Sequence, residues 1–188
     1  MDTKPLFLPI LLGTNRNDRE SEKVATYIAD HLMNQRDDLE TSIVDVRDFA
    51  FPLDNYGQDI KEQFPEWVET MSRADGIILV MPEYNHGYPG PMKSVLDLLL
   101  PEYNHKVAGL VGVSAGPWGG LRVIENVLPV VRELGLVASA ADLQFPKVSS
   151  SFTAEGTHVD EKMPGRVDRF CDELVFLGRA LRDARMRG

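Results

Sequence analysis

Residues 76–99, GIILVMPEYNHGYPGPMKSVLDLL, place an apolar run, a turn-rich loop and a helical stripe one after another. Gly76–Met81 is apolar almost throughout, and so is Val107–Val113 (VAGLVGV) further along the chain. A run with no polar alternate positions fits a strand covered on both faces, as strands of a parallel sheet are. After Pro91, residues Met92, Val95, Leu96 and Leu99 recur at helical spacing, and Pro91 suits a first helical turn. Strand, loop and covering helix therefore follow in the order of an α/β unit.

The same unit repeats along the chain. Pro5–Leu12 (PLFLPILL) and Thr41–Val46 (TSIVDV) are earlier apolar runs, and a weaker fifth lies within Leu136–Phe145. Pro9 lacks an N–H to donate, which argues against a central place for the first strand. Helical periods fall between the runs: Val24, Ile28 and Leu32; Trp67, Val68 and Met71 after Pro65; Val123, Val127, Val131 and Leu134, with a kink expected at Pro129; and Val167, Phe170, Leu174, Leu177 and Leu181. This alternation predicts an α/β fold, a doubly wound three-layer sandwich, over one domain spanning residues 1–188. Phe51–Gly57 is a turn-rich connection. Lys147–Asp160 is long and polar, and is expected to be a surface loop with a short strand or a mobile flap.

Composition narrows the function. The 188 residues carry 20 Lys plus Arg against 29 Asp plus Glu, a formal net charge of -9, which disfavours broad nucleic-acid binding. No apolar run reaches the roughly 18–20 residues of a membrane span. Pro5–Gly13 lacks the flanking features of a signal peptide. A single cysteine, Cys171, cannot form an intramolecular disulfide, so a reducing compartment and a cytoplasmic location are expected.

In an open α/β sheet, ligands bind beyond the carboxyl ends of the strands. Three loops qualify. The first, Gly13–Ser21, offers the hydroxyls of Thr14 and Ser21, the forked cation of Arg16 and the start of a helix, which are the parts of a phosphate site. Ser21 also fits a plain helix cap over a solvated loop. Neither a dinucleotide G-x-G-x-x-G nor a nucleotide P-loop is present, so a compact monophosphate is the better fit. The second loop, Met81–Pro91, is rigid and aromatic, suited to a flat heterocycle. The third, Ser114–Arg122, is built of small residues that let backbone amides approach a ligand.

Taken together, these loops resemble the NADPH-dependent FMN reductases, a branch of the flavodoxin-like fold that includes azobenzene, quinone and chromate reductases. Gly13-Thr14-Asn15-Arg16 is similar to that family's G-[ST]-x-R phosphate loop. Pro82-Glu83-Tyr84-Asn85, running through Pro89-Gly90 to Met92-Lys93, is similar to its P-E-Y-N-x-x-x-P-G-x-[LM]-K signature, and Ser114-x-Gly116-x-x-Gly119-Gly120-x-Arg122 to its third flavin loop. The resemblance covers roughly Leu6 to Leu134. It implies a five-stranded parallel sheet in strand order 2-1-3-4-5. It also implies FMN as cofactor, with NADPH or NADH as electron donor and a small molecule (a flavin, quinone, azo compound or metal oxyanion) as acceptor.

By that resemblance Thr14, Arg16 and Ser21 hold the phosphate with the helix-start amides of Glu22 and Lys23. Pro82, Glu83, Tyr84 and Asn85 line the isoalloxazine ring and ribityl chain, and Ser114, Ala115, Gly116, Gly119 and Gly120 approach the pyrimidine end. Ping-pong kinetics follow, with no side-chain acid or base required. Trp118 is bulkier than the family leads one to expect, and could wall the site. The resemblance further implies a homodimer or homotetramer. The helices after loops two and three carry more apolar residues than sheet cover needs, which points the same way. The alternative function is a flavodoxin-like electron carrier or redox-sensing flavin-binding module without turnover, which the acidic charge would suit.

Other features have plainer explanations. Pro101-Glu102-Tyr103-Asn104-His105 duplicates Pro82–His86 but precedes a strand, which puts it at the wrong end of the sheet. The four histidines show no metal-ligand spacing, so no metal site is expected. Cys171 falls on the apolar stripe of the last helix, and Asp45 and Asp48 are expected to be solvated.

Overall fold

The computed structural model describes residues 4–187. Its strands are β1 (Leu6–Phe7), β2 (Ile10–Leu12), β3 (Leu39–Glu40), β4 (Ile43–Asp45), β5 (Gly76–Pro82), β6 (Val107–Val113) and β7 (Val137–Phe145). Its α-helices are α1 (Ser21–Gln35), α2 (Pro65–Arg73), α3 (Gly90–Asp97), α4 (Leu121–Glu133) and α5 (Met163–Arg187). The main sheet is parallel, in the order β4-β2-β5-β6-β7. Counted by the five apolar runs of the sequence, this is the flavodoxin-like order 2-1-3-4-5.

Pro9 divides the first run into β1 and β2, yet the run remains inside the sheet, against expectation. The reason is local. Leu8 N donates to Glu40 O (2.8 Å) and Ile10 N to Ser42 O (2.8 Å), while the Pro9 carbonyl accepts from Ile78 N (2.9 Å). Proline therefore removes one donor and leaves the ladder on either side intact.

The pleat sorts the apolar run onto two faces. Leu6, Leu8, Ile10 and Leu12, with Ile78 and Val80, join α1 and α5 in one core. Phe7 and Leu11, with Ile77, Leu79 and Met81, join α2, α3 and α4 in the other. Every residue of β5 and β6 is buried, which is why those runs contain no polar alternates. Cys171 is fully buried in the first core, and its loss of solvent pushes the thiol up to about 12. That environment suits an inert core thiol.

The apolar excess of α3 has an internal explanation. Met92, Val95 and Leu96, and Leu98 and Leu99 just beyond the helix, are all buried within this chain's own second core, while Leu100 stays 39% exposed. Lys147–Asp160 is pinned down as a small hairpin. Phe152 bridges His158, and the two rings pack with Tyr27 of α1 and Phe145 of β7.

The start of α4 lies directly on β6. Gly120 has φ +81°, and a Cβ there would stand 2.5 Å from Val113 N, while one on Gly112 would meet Gly120 O at 2.6 Å. A Cβ on Gly116, by contrast, meets nothing within 4 Å. Gly120→Ala is accordingly expected to destabilise the fold by about 1–3 kcal/mol, and Gly116→Ala to change it by less than about 0.5 kcal/mol. Denaturant unfolding of the two variants checks the contrast. Equal effects would contradict it.

Candidate functional site

The carboxyl ends of β2, β5 and β6 open onto a cleft of about 300 Å³. Loop one contributes Arg16, Asp18, Arg19, Glu20 and Ser21 to its lining, loop two Pro82, Glu83 and Tyr84, and loop three Ser114 and Ala115. Asn85 borders an adjoining hollow with Arg16, Glu83 and Tyr84. Three stretches far apart in sequence thus share one rim. A larger cavity, about 460 Å³, lies elsewhere, between the edge strand β4 and α2, and its walls include Phe49, Phe64 and Trp67 but none of the three loops.

Loop one is shaped by a buried arginine. Arg19 is 8% exposed; its Nη1 donates to Thr14 O (2.6 Å) and Asp45 Oδ1 (2.7 Å), its Nη2 to Asp45 Oδ2, and its Nε to Glu22 Oε2 (3.3 Å). Arg47 donates to the carbonyl of Arg16 from the same side. Asp45, expected from the sequence to be solvated, is instead a partly buried counter-ion that fixes the loop. Burial would raise its carboxyl, but hydrogen bonds from Arg19 and the Arg47 amide, with the charges of both arginines, hold it below the usual carboxylate range. The Asp45 hydrogen bond leads in raising Arg19.

Once the loop is fixed, Ser21 and Arg16 keep unused hydrogen-bonding groups at the cleft, whereas Thr14 lies outside its lining. No side chain caps α1, whose first residue is Ser21 instead of the N-cap expected. The Ser21 hydroxyl is buried with no hydrogen-bond partner. Thr14, 1% exposed, bonds Tyr84 Oη through Oγ1 (2.8 Å) and also accepts from Arg16 N (3.3 Å). The Arg16 guanidinium lies 5.8 Å over the Tyr84 ring. An exposed guanidinium, an orphaned hydroxyl and an uncapped helix start make a donor set suited to an anion. The amides of Glu22 and Lys23 already close turn bonds to Arg19 O (3.3 Å) and Glu20 O (3.1 Å).

Loop two is held rigidly. Tyr84 and Gly87 exchange backbone hydrogen bonds (3.0 and 2.9 Å), and Asn85 and His86 between them sit at φ 49° and 68°. This is a two-residue hairpin turn with both central residues left-handed. Asn126 Nδ2 of α4 holds the His86 carbonyl (2.5 Å). In loop three, Gly116 O accepts from Lys147 N (3.0 Å) and Ser114 O from Val148 N (3.1 Å), so the segment after β7 braces it. Gly119 and Gly120 are buried beneath the loop, packed on β6 and β7, and do not line the cleft. Trp118 is 62% exposed and also outside its lining.

Among the described residues, no group of three His, Cys, Asp or Glu side chains could hold a metal ion. The duplicate Pro101–His105 lies before β6, at the other pole, with Tyr103 fully buried and Glu102 paired to Lys61. Sequence reasoning missed Arg19, Asp45, Arg47 and Val148. A signal for the first two was present, because strand order 2-1-3 sets the end of the second run beside loop one.

A sequence model of the NADPH-dependent FMN reductases matches residues 8–148. A 2-hydroxy-1,4-benzoquinone reductase from Burkholderia sp is 26% identical over 180 residues, covering 90% of this chain and 94% of the relative. An FMN-dependent NADPH-azoreductase from Staphylococcus aureus is 31% identical over 182 residues, covering 88% and 92%. Among solved structures, the flavoenzyme NAD(P)H:(acceptor) oxidoreductase FerB from Paracoccus denitrificans superposes with a TM-score of 0.73 at 23% identity, covering 90% of this chain and 97% of that one.

A carboxyl depressed in the folded state stabilises the protein above its unfolded value, and the contribution disappears as pH falls through the folded value. Asp45→Asn is therefore expected to lower the unfolding free energy at pH about 7 and to differ less from wild type below pH about 4. Urea titrations at the two pH values measure this. A gap that stays constant or widens in acid would contradict the assignment.

Proposed function

The chain belongs to the NADPH-dependent FMN reductase family, and from that premise we propose that the cleft between Arg16, Tyr84 and Ser114 holds FMN with its phosphate at the start of α1. It is an oxidoreductase working with FMN and NAD(P)H on small-molecule acceptors, so the electron-carrier alternative gives way. The observation that carries the cofactor's placement is the buried, unpartnered Ser21 hydroxyl beside the uncapped helix and the exposed Arg16 guanidinium. A dianionic phosphate would satisfy all three at once.

When bound, FMN supplies the two-electron chemistry between nicotinamide and acceptor. The protein's own residues bind and orient. Thr14, Arg16 and Ser21 take the phosphate. Pro82, Tyr84 and Asn85 border the ring and ribityl chain. Ser114, Ala115 and the unobstructed face of Gly116 receive the pyrimidine end, where backbone amides oppose negative charge. Gly119 and Gly120 serve indirectly, by letting α4 start close to β6. No side-chain acid or base is assigned.

The relatives named as quinone reductase and azoreductase support a flat, conjugated acceptor, such as a quinone or azo compound. NADPH is the preferred donor in this reading. Assembly as a homodimer or homotetramer rests on the family and on α4, where Leu128 and Val130 stay partly exposed beside a shallow hollow that Pro129 and Leu136 help to line. Among the described residues no helix is long and apolar enough to cross a membrane. One buried free thiol suits a cytoplasmic setting.

Purified protein with FMN is expected to consume NADPH in the presence of a quinone, with parallel-line ping-pong kinetics. Arg16→Ala should weaken FMN binding about tenfold, equal to about 1.4 kcal/mol, while changing riboflavin affinity much less. Absorbance at the nicotinamide band and flavin-fluorescence titration read the two outcomes. Equal losses for FMN and riboflavin would place the phosphate elsewhere.

A further inference from the structure

α4 begins without a cap of its own. The residue before it, Gly120, has no side chain to offer, and no local side chain bonds the first turn. The missing acceptor comes from loop two. Glu83 Oε2 accepts from Arg122 N (3.2 Å), and Oε1 lies 3.5 Å from the Arg122 guanidinium. The Glu83 side chain is only 12% exposed, whereas that of Arg122 is 48% exposed. The backbone of Glu83 is tied as well, its N–H donating to Val113 O (2.9 Å). One residue of loop two is thus bonded to the end of β6 and to the start of α4, the two elements that bound loop three.

We propose that Glu83 is a positioning residue: its carboxylate caps α4 and sets the spacing between Pro82–Asn85 and Ser114–Gly116, the two stretches that receive the flavin ring. This rests on the FMN reading above and changes the part Glu83 plays in it, from a wall of the ring site to the tie between its two halves. The backbone hydrogen bond is the working contact. A carboxylate at a helix start is favoured by the free N–H groups there, whereas an ion pair to a half-exposed guanidinium at 3.5 Å adds little. Reach therefore matters more than charge. Arg19 makes its own bonds to Thr14, Glu22 and Asp45 and none to Glu83 or Arg122, so a change at Glu83 acts first on the ring half of the site.

The test is a fluorescence titration of FMN and riboflavin against wild type, Glu83→Ala, Glu83→Asp and Glu83→Gln, at a temperature where circular dichroism shows each protein folded. Glutamine keeps the reach and an acceptor oxygen without the charge, and aspartate keeps the charge without the reach. Glu83→Gln is expected to bind both flavins within about threefold of wild type, and Glu83→Ala and Glu83→Asp about tenfold more weakly, with equal losses for FMN and riboflavin. Tight binding by Glu83→Ala, or by Glu83→Asp with loss in Glu83→Gln, overturns the proposal. So does a loss confined to FMN. Wild type that binds neither flavin would instead overturn the FMN reading on which the proposal rests.

Discussion

The rim of this sheet takes its shape from a guanidinium that never meets solvent freely. Arg19 grips the Thr14 carbonyl and both oxygens of Asp45, so the loop after β2 is bent around a charge pair anchored at the end of β4. Removing Asp45 would strand a guanidinium whose side chain is only 2% exposed, which is destabilising because the charge left behind is uncompensated. The exposed pair of Lys23 with Glu20 nearby is worth at most about 1 kcal/mol. With Arg19 committed inward, Arg16 faces the cleft and Ser21 keeps an unused hydroxyl. A loop with two arginines thus divides its labour, one holding the backbone and one left for a ligand.

The rest of the site follows from the parallel sheet. Its strands end together at one pole, so the loops after β2, β5 and β6 converge although they are far apart in sequence. Convergence alone would leave them mobile. Here each is tied to a neighbour: Thr14 to Tyr84, Glu83 to the start of α4, His86 to Asn126, and Gly116 to Lys147. These ties are hydrogen bonds from the loops to one another and to α4, which makes the rim one mechanical unit suited to a rigid planar ligand.

The fold was legible because its signals are one-dimensional. Apolar runs at β5 and β6, helical periods between them and prolines at helix starts need no knowledge of the third dimension. The three loops were legible for a similar reason, since each follows its strand directly. What escaped the sequence is pairing across distance. Asp45 looked like a solvated acid because nothing adjacent in sequence needs it, and the bond from Glu83 to the start of α4 was invisible because its partner Arg122 lies 39 residues away. Pro9 misled through a rule about donors, when the ladder could spare one. Of the leucines after α3 that suggested a partner surface, Leu98 and Leu99 are buried in this chain's own core and only Leu100 stays exposed.

The central claim is that three separated loops receive one flavin mononucleotide. Amide hydrogen exchange of the protein with and without FMN tests it most directly. The account predicts added protection confined to residues 14–21, 82–88 and 114–122, with none at the duplicate Pro101–His105 or around the cavity beside β4. Protection concentrated at that cavity, or absent from any one of the three loops, would contradict it.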